Sequence, residues 1–290
     1  MANKNPLKLR SAHEEFKKYL KDKKHSNSTV IAYGKDIDQL VNFLEELQKQ
    51  HVHEVTKEDI EAFLAKMTKE GYTPKSVSRK INSTRTFYRF LKVNEYITDD
   101  PSLLVSHPDY ELAPPRILTP TEYRALRDAA RGDGRMYAII ELLLQTGIRI
   151  GELANLKTSD IKKESLRIAP FEKHEEREVP LNKRAKEALD IYLKVRPKEA
   201  KADNVFVTKS GRPFLIRNIR TAIERYFRLA EIKNAKVNDL RHTFVAHHLK
   251  HGVSLVVLSK VLGHKRLSTT ERYLQYVPDR EKESANLTEL

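Results

Sequence analysis

The 290-residue sequence contains no cysteine. That excludes disulfides, thiolate zinc sites and cysteine nucleophiles. No apolar run approaches the ~18 residues of a membrane span, and no amphipathic helix stands out as a surface anchor. The start, Met1-Ala-Asn-Lys-Asn-Pro6, lacks the apolar core of a secretory signal, so the cytoplasm is the expected compartment. Internal repeats and low-complexity tracts are missing too. Acid is scarce: 40 Asp and Glu face 54 Lys and Arg, for a formal net charge of +14. Such an excess favours a polyanionic partner, because each phosphate contact releases condensed counterions.

What is present suffices for two domains of ordinary size. Hydrophobic residues make up 39% and charged residues 32% of the chain, enough for a core beneath a densely charged surface. Residues 9–93 read as four helices. Leu9, Ala12, Phe16, Tyr19 and Leu20 recur at helical spacing. Ser28 or Thr29 is the expected cap of a second helix, which carries Ile37, Leu40 and Leu44 on one face. Thr56-Lys-Glu-Asp59 has the pattern of a capping box, and Gly71 closes that third helix. Thr73-Pro74 opens a fourth, with Lys75, Arg79, Lys80, Arg85 and Arg89 among Ile81, Phe87, Phe90 and Leu91. A solvated charged face is the ordinary reading of such a helix. The lack of balancing acids makes a helix tracking a DNA backbone an equally good one.

Residues 99–118 are punctuated by Pro101, Pro108, Pro114 and Pro115 without sustained periodicity. The expected division is a helical domain over 1–105, a linker at 106–118 and a second domain over 119–290. Thr119-Pro-Thr-Glu122 opens that second domain with a cap, a first-turn proline and a capping-box glutamate. It reads as helical apart from a β insertion. Strands are expected at Ser165-Leu-Arg-Ile-Ala169 and Glu178-Val-Pro-Leu181 around the polar turn Lys173–Arg177, with a third at Val205-Phe-Val207.

The chemistry sits in short motifs of this domain. Arg149 follows a Thr146-Gly147 break at the start of a new helical segment, where a cation opposes the helix dipole unless an anion sits nearby. Further on come Asn238-Asp-Leu-Arg241-His242, Leu262-Gly-His264 and Ser268-Thr-Thr-Glu-Arg-Tyr273. Two arginines can clamp the non-bridging oxygens of a phosphodiester, doing electrostatically what a metal does elsewhere. A tyrosine phenol, with a pKa of about 10, is a nucleophile whose phosphate ester can later be displaced by a sugar hydroxyl. Such a reaction needs neither ATP nor a metal, and a lysine on a hairpin can protonate the departing oxygen.

At these residues the sequence resembles the tyrosine recombinase (phage integrase) family, most of all its compact Xer-type members. The match runs through Thr146-Gly-Ile-Arg149-Ile-Gly-Glu152, Val179-Pro-Leu181, Asp239-Leu-Arg241-His242, Leu262-Gly-His264 and Ser268–Tyr273, and includes the nine-residue step from His264 to Tyr273. It covers the whole second domain, and the first has the helical, basic character of the family's core-binding domain. The resemblance implies a mainly α fold with a small β-sheet insertion, in which a four-helix, SAM-like core-binding domain precedes the catalytic domain. It also implies a site-specific recombinase, without cofactor, acting on double-stranded DNA as a tetramer. Arg149 and Arg241 would bind the scissile phosphate, Glu152 would brace the first arginine, and His264 would contact the phosphate or leaving region. Tyr273 would be the nucleophile, with His242 supporting the site.

Two departures stand out. Asn238 occupies the family's usual histidine position, and an amide cannot shuttle a proton. The hairpin has Phe171-Glu172-Lys173-His174 where the family has a glycine-flanked lysine. An ungapped match puts Glu172 on that lysine, whereas a turn shorter by one residue restores Lys173, the expected general acid. Tyr276, three residues past Tyr273, is an alternative nucleophile. His242, His247, His248 and His251 crowd one helix without the acidic partners a metal site would use. A DNA-binding protein that has lost its chemistry and a type IB topoisomerase-like enzyme are the rival readings.

Overall fold

Side-chain caps set where most helices of the first unit begin. The computed structural model describes residues 6–111, 113–171 and 174–276. The chain divides into two compact units, Met1–Ala113 and Pro114–Leu290. In the first, α1 spans Leu9–Asp22, α2 Asn27–Glu46, α3 Lys57–Lys69 and α4 Pro74–Val93. The α2 cap is Ser26, whose hydroxyl accepts from the Thr29 amide at 3.2 Å, so this helix starts earlier than Ser28 or Thr29 would place it. Thr56 and Asp59 form the expected reciprocal box at 2.8 and 3.4 Å. Thr73 caps α4 ahead of Pro74. Phe16, Phe63, Phe87 and Tyr88 are buried at the centre, and Phe16 meets Phe87 edge-to-face at 5.3 Å.

A 3-10 turn at Pro101–Leu104 ends the helical part of this unit, with Ser102 and Val105 buried. Lys80 is not on a basic face. It is 1% exposed, and its ammonium donates to Asp36 Oδ1 at 3.1 Å and to Gln39. Arg79 and Ser83 complete the shell around Asp36, as a buried charge requires. Arg85 is half-buried and donates to the carbonyls of Val105 and Ser102, at 2.7 and 3.4 Å. Lys75, Arg79 and Arg89 are exposed.

The second unit is built on α6, Gly134–Thr146, after α5 at Pro120–Ala130. The sequence of α6 is apolar nearly all round, and it is buried accordingly. Around it lie α7 (Ile150–Asn155), α8 (Lys183–Val195), α9 (Ile216–Leu229) and α10 (Val237–Lys250). Then come α11 (Leu255–Leu262) and α12 (Ser268–Glu271). Strands β1 (Ser165–Ile168) and β2 (Arg177–Pro180) pair antiparallel, with Leu166 opposite Val179. Their burial alternates, so Leu166, Ile168 and Val179 join the core. The expected third strand does not form. Val205–Val207 is fully buried but makes only isolated bridges, through Asn204 to Lys157 and through Val207 to Pro213.

Candidate active site

The Thr146-Gly147 break ends α6 in the left-handed region, at φ 62° for Gly147. A Cβ there would lie 2.5 Å from the Phe244 ring, so only glycine fits. The chain re-enters helix at Arg149, which stands immediately before α7. The Glu152 carboxylate accepts from the Arg149 backbone at 2.8 Å and from its guanidinium at 3.0 Å. Arg177, at the start of β2, donates to the same carboxylate at 2.9 and 2.7 Å. Burial works against the Glu152 charge, but hydrogen bonds from Arg177 and Arg149 outweigh it and hold the carboxyl down at about 2.

The Leu262-Gly-His264 motif does its work through backbone. Gly263, at φ 62°, caps α11 and leaves that helix's last carbonyls free to accept. The Val261 carbonyl takes Arg177 Nε at 2.8 Å. The Leu262 carbonyl takes both Arg149, at 3.2 Å, and Arg241, at 2.9 Å. Arg241 also donates to the Gly147 carbonyl at 2.5 Å and to His264 Nε2 at 2.9 Å. A guanidinium cannot accept, so His264 Nε2 is unprotonated and Nδ1 donates to Thr270 Oγ1 at 2.8 Å. Burial, then Arg241 and Arg149, push His264 down to about 3, so the ring is neutral.

Arg241 is 6% exposed, and its partners here are neutral. Burial, followed by the neighbouring Arg149, works against its charge. The Glu152 carboxylate thus bonds two guanidiniums, Arg149 and Arg177, while the third, Arg241, has only neutral partners. Arg149 keeps 27% of its side chain exposed. Arg149, Arg241 and Asn238 line one cleft of about 390 Å³ together with Arg220, Lys236 and one acid, Glu224. A second cleft of about 470 Å³ lies along His174, Arg177, Gly263 and His264. Burial and Arg149 lower the His174 pKa.

Tyr273 is buried, packed with Phe244, Val245 and Leu262. Its hydroxyl contacts His242 Nδ1, and His242 Nε2 meets the Asn238 amide at 2.8 Å. Tyr276 points elsewhere, donating to the Pro115 carbonyl at 2.6 Å. His248 and His251 each use Nδ1 on a carbonyl one turn back, at 2.9 and 2.7 Å. The structure therefore gathers Arg149, Glu152, Arg241 and His264 around the Leu262 carbonyl, and links Asn238, His242 and Tyr273 in a second group beside it. Lys173 lies outside the described residues. Lys75, Arg79, Lys80, Arg85 and Arg89 belong to the first unit. Arg177 was missed by sequence reasoning, although it stands directly before the Val179-Pro-Leu181 motif.

A family model for the phage integrase family matches residues 116–279. The chain belongs to that family. Its members are the tyrosine recombinases, enzymes that cleave and rejoin DNA. A second model, the phage integrase N-terminal SAM-like domain, matches residues 13–95. Tyrosine recombinase XerD of Staphylococcus haemolyticus is 31% identical over 271 residues, covering 90% of this chain and 92% of the relative. Tyrosine recombinase XerC of Anoxybacillus flavithermus is 30% identical over 277 residues, covering 91% and 92%. The solved XerA recombinase is 27% identical with a TM-score of 0.54, covering 97% of this chain and 99% of that one. A lambda integrase tetramer bound to a Holliday junction shares the fold, with a TM-score of 0.74 at 20% identity and coverage of 90% and 79%.

Proposed function

We propose that this chain is a site-specific recombinase that cuts and rejoins DNA through a 3′-phosphotyrosine at Tyr273. The observation carrying this reading is the shared grip of the Leu262 carbonyl on Arg149 and Arg241. It fixes two guanidiniums beside one cleft whose cations, Arg149, Arg220, Lys236 and Arg241, outnumber its one acid, Glu224. A phosphodiester supplies the missing negative charge, and its non-bridging oxygens match the guanidinium fork. As the Tyr273 oxygen attacks phosphorus, the bond to the 5′ oxygen breaks, and charge accumulating on the phosphate is met by both arginines. Lys173 protonates the departing 5′ oxygen. A 5′ hydroxyl later displaces the phenol and restores the backbone. Neutral His264 buttresses Arg241, and Glu152 fixes Arg149 together with Arg177.

On this reading the domain over 1–105 and the catalytic domain over 119–290 grip the duplex, with 106–118 as the strap between them. Four protomers act on two sites, a reading supported by a lambda integrase of the same fold that binds a Holliday junction as a tetramer. The test is covalent trapping: the protein is incubated with fragmented DNA in excess EDTA, denatured, and the attached DNA is sequenced. One recurrent sequence, absent with Tyr273→Phe and retained with Tyr276→Phe, is the expected result. Adduct at scattered sequences points to a topoisomerase-like activity. No adduct leaves a DNA-binding protein, the reading that Asn238 in the usual histidine position favours. Loss of adduct on chelation replaces the mechanism with a metal-assisted one.

A further inference from the structure

Lys173 supplies the proton that the departing 5′ oxygen needs, and the proton that Tyr273 gives up on attack needs an acceptor of its own. Asn238, at the family's usual histidine position, cannot accept it. One helical turn along α10, on the same face, His242 touches the Tyr273 hydroxyl through Nδ1. Its Nε2 is 2.8 Å from the Asn238 amide nitrogen, and a half-turn of the amide group brings Oδ1 to the same place. With Nδ1 bare, the Nε2 proton needs an acceptor, and the amide supplies one when turned oxygen-first. Asn238 then orients the imidazole as a third group orients the base in other nucleophile–base pairs.

We infer that His242 is the general base of strand cleavage, taking the Tyr273 proton on Nδ1 as that oxygen attacks, with Asn238 as its positioning residue. This rests on Tyr273 being the nucleophile. The steps balance. The Tyr273 O–H bond breaks, its proton passes to His242 and its oxygen bonds phosphorus. The electron pair of the broken P–O bond stays on the 5′ oxygen, which takes a proton from Lys173. In rejoining, the 5′ hydroxyl gives its proton back to Lys173, and the departing phenol recovers its own from His242.

The charged and titratable groups facing this pair are Arg241 from α10, Arg272 at the end of α12, and Tyr276. Burial, then Arg272 and Arg241, lower His242 to about 4, which leaves it neutral and able to accept through the physiological range. Burial raises the Tyr273 phenol, the two arginines pulling the other way. Such a phenol is poorly ionised by itself, so attack gains from a base acting as the new bond forms. A phosphodiester seated on Arg241 offsets the repulsion that weakens His242 as a base.

The test uses the full chain and the duplex recovered by covalent trapping, nicked so that the cleaved state accumulates. Wild-type single-turnover cleavage is expected to be level from about pH 6 to 8, because the base is already neutral there. His242→Gln keeps a polar side chain but takes no proton. It should cut the rate by roughly 10²–10³ with near-normal DNA affinity, and the residual rate should climb about tenfold per pH unit as hydroxide takes over. Added imidazole should restore His242→Ala, which also carries the test if the glutamine variant fails to fold. A sulfur in place of the 5′ bridging oxygen should rescue Lys173→Ala and leave His242→Gln slow. Near-wild-type cleavage by His242→Gln, or a pH-independent loss that imidazole does not repair, overturns His242 as the base. An adduct surviving in Tyr273→Phe removes instead the assignment of the nucleophile.

Discussion

Asp36 in the first unit and Glu152 in the second are both buried carboxylates gripping two cations. Asp36 takes Lys80 at 3.1 Å and Arg79, with the Ser83 hydroxyl at 3.1 Å. Glu152 takes Arg149 at 3.0 Å and Arg177 at 2.7 Å. The difference is the neighbour. Beside Glu152 lies Arg241, another buried guanidinium, held by the carbonyls of Gly147 and Leu262 and by a neutral histidine. Carbonyl dipoles orient a guanidinium without cancelling its charge, and an uncompensated charge in low dielectric is costly. A fully buried cation closed on a carboxylate, as Lys80 is, is thus part of the scaffold, whereas Arg149 stays partly exposed and shares the Leu262 carbonyl with Arg241. A cation held by carbonyls is aimed at an anion that has yet to arrive.

The contrast breaks or holds on paired substitutions. Arg241→Ala is expected to reduce single-turnover cleavage by about 10²–10³ or more, with little loss of fold stability, because the charge it removes lacks a carboxylate of its own. Arg241→Lys should lose nearly as much cleavage, since lysine lacks the bidentate fork. Lys80→Met should do the reverse. Leaving Asp36 short of its buried partner is expected to cost about 3–5 kcal/mol, read by urea unfolding, while cleavage per folded molecule stays near wild type. A larger stability loss for Arg241→Ala than for Lys80→Met would make the two clusters alike.

The same comparison shows what the sequence could and could not tell. Arg149, Arg241, His264 and Tyr273 stand in motifs whose order and spacing resemble the family's, so these residues could be picked out without coordinates, and the structure brings the first three together around the Leu262 carbonyl. The capping box at Thr56–Asp59 and the αL glycine at 147 were legible because they are local. Lys80 was misread as surface. Helical arithmetic alone argued otherwise, since Val77, Thr84 and Phe87 are its neighbours on one face and all are buried. What hid the answer was Asp36, its partner from another helix, which no local pattern reveals. Arg177 was passed over for a similar reason: a strand residue acquires its role only when α11 brings the Val261 carbonyl and Glu152 to it. Val205–Val207 was rightly taken as apolar and buried, but the chain bends at Val205 and Phe206, and neither that bend nor the lack of ladder partners can be read from composition.

A smaller effect sharpens the account of Glu152. Its folded pKa of about 2 lies below the ordinary 4.5. The group's contribution to stability is therefore whole above about pH 4.5 and is lost as pH falls toward 2, a difference of roughly 3 kcal/mol. Acid unfolding of the wild type should show that slope, and Glu152→Gln should flatten it. An unchanged slope would mean that Arg149 and Arg177 do not hold the carboxylate charged.

The smallest expected effects lie on α4, where the comparison turns from buried cations to exposed ones. A lysine or arginine that meets a DNA phosphate releases about one counterion, so removing it lowers the slope of log affinity against log salt by about one. Lys75 and Arg89 are exposed, and Lys75→Ala and Arg89→Ala should each lower the slope by about that amount if α4 tracks the backbone. Arg79→Ala should do less, because its guanidinium is committed to Asp36. Lys80→Met should leave the slope where it was, its ammonium being sealed against Asp36 and Gln39. Binding measured over a salt series on the trapped duplex separates these cases. Equal slopes for all four variants and the wild type would take α4 off the DNA. A drop for Lys80→Met as large as for Lys75→Ala would mean that DNA binding opens the Asp36 cluster, and that the cation judged structural changes partner when the polyanion arrives.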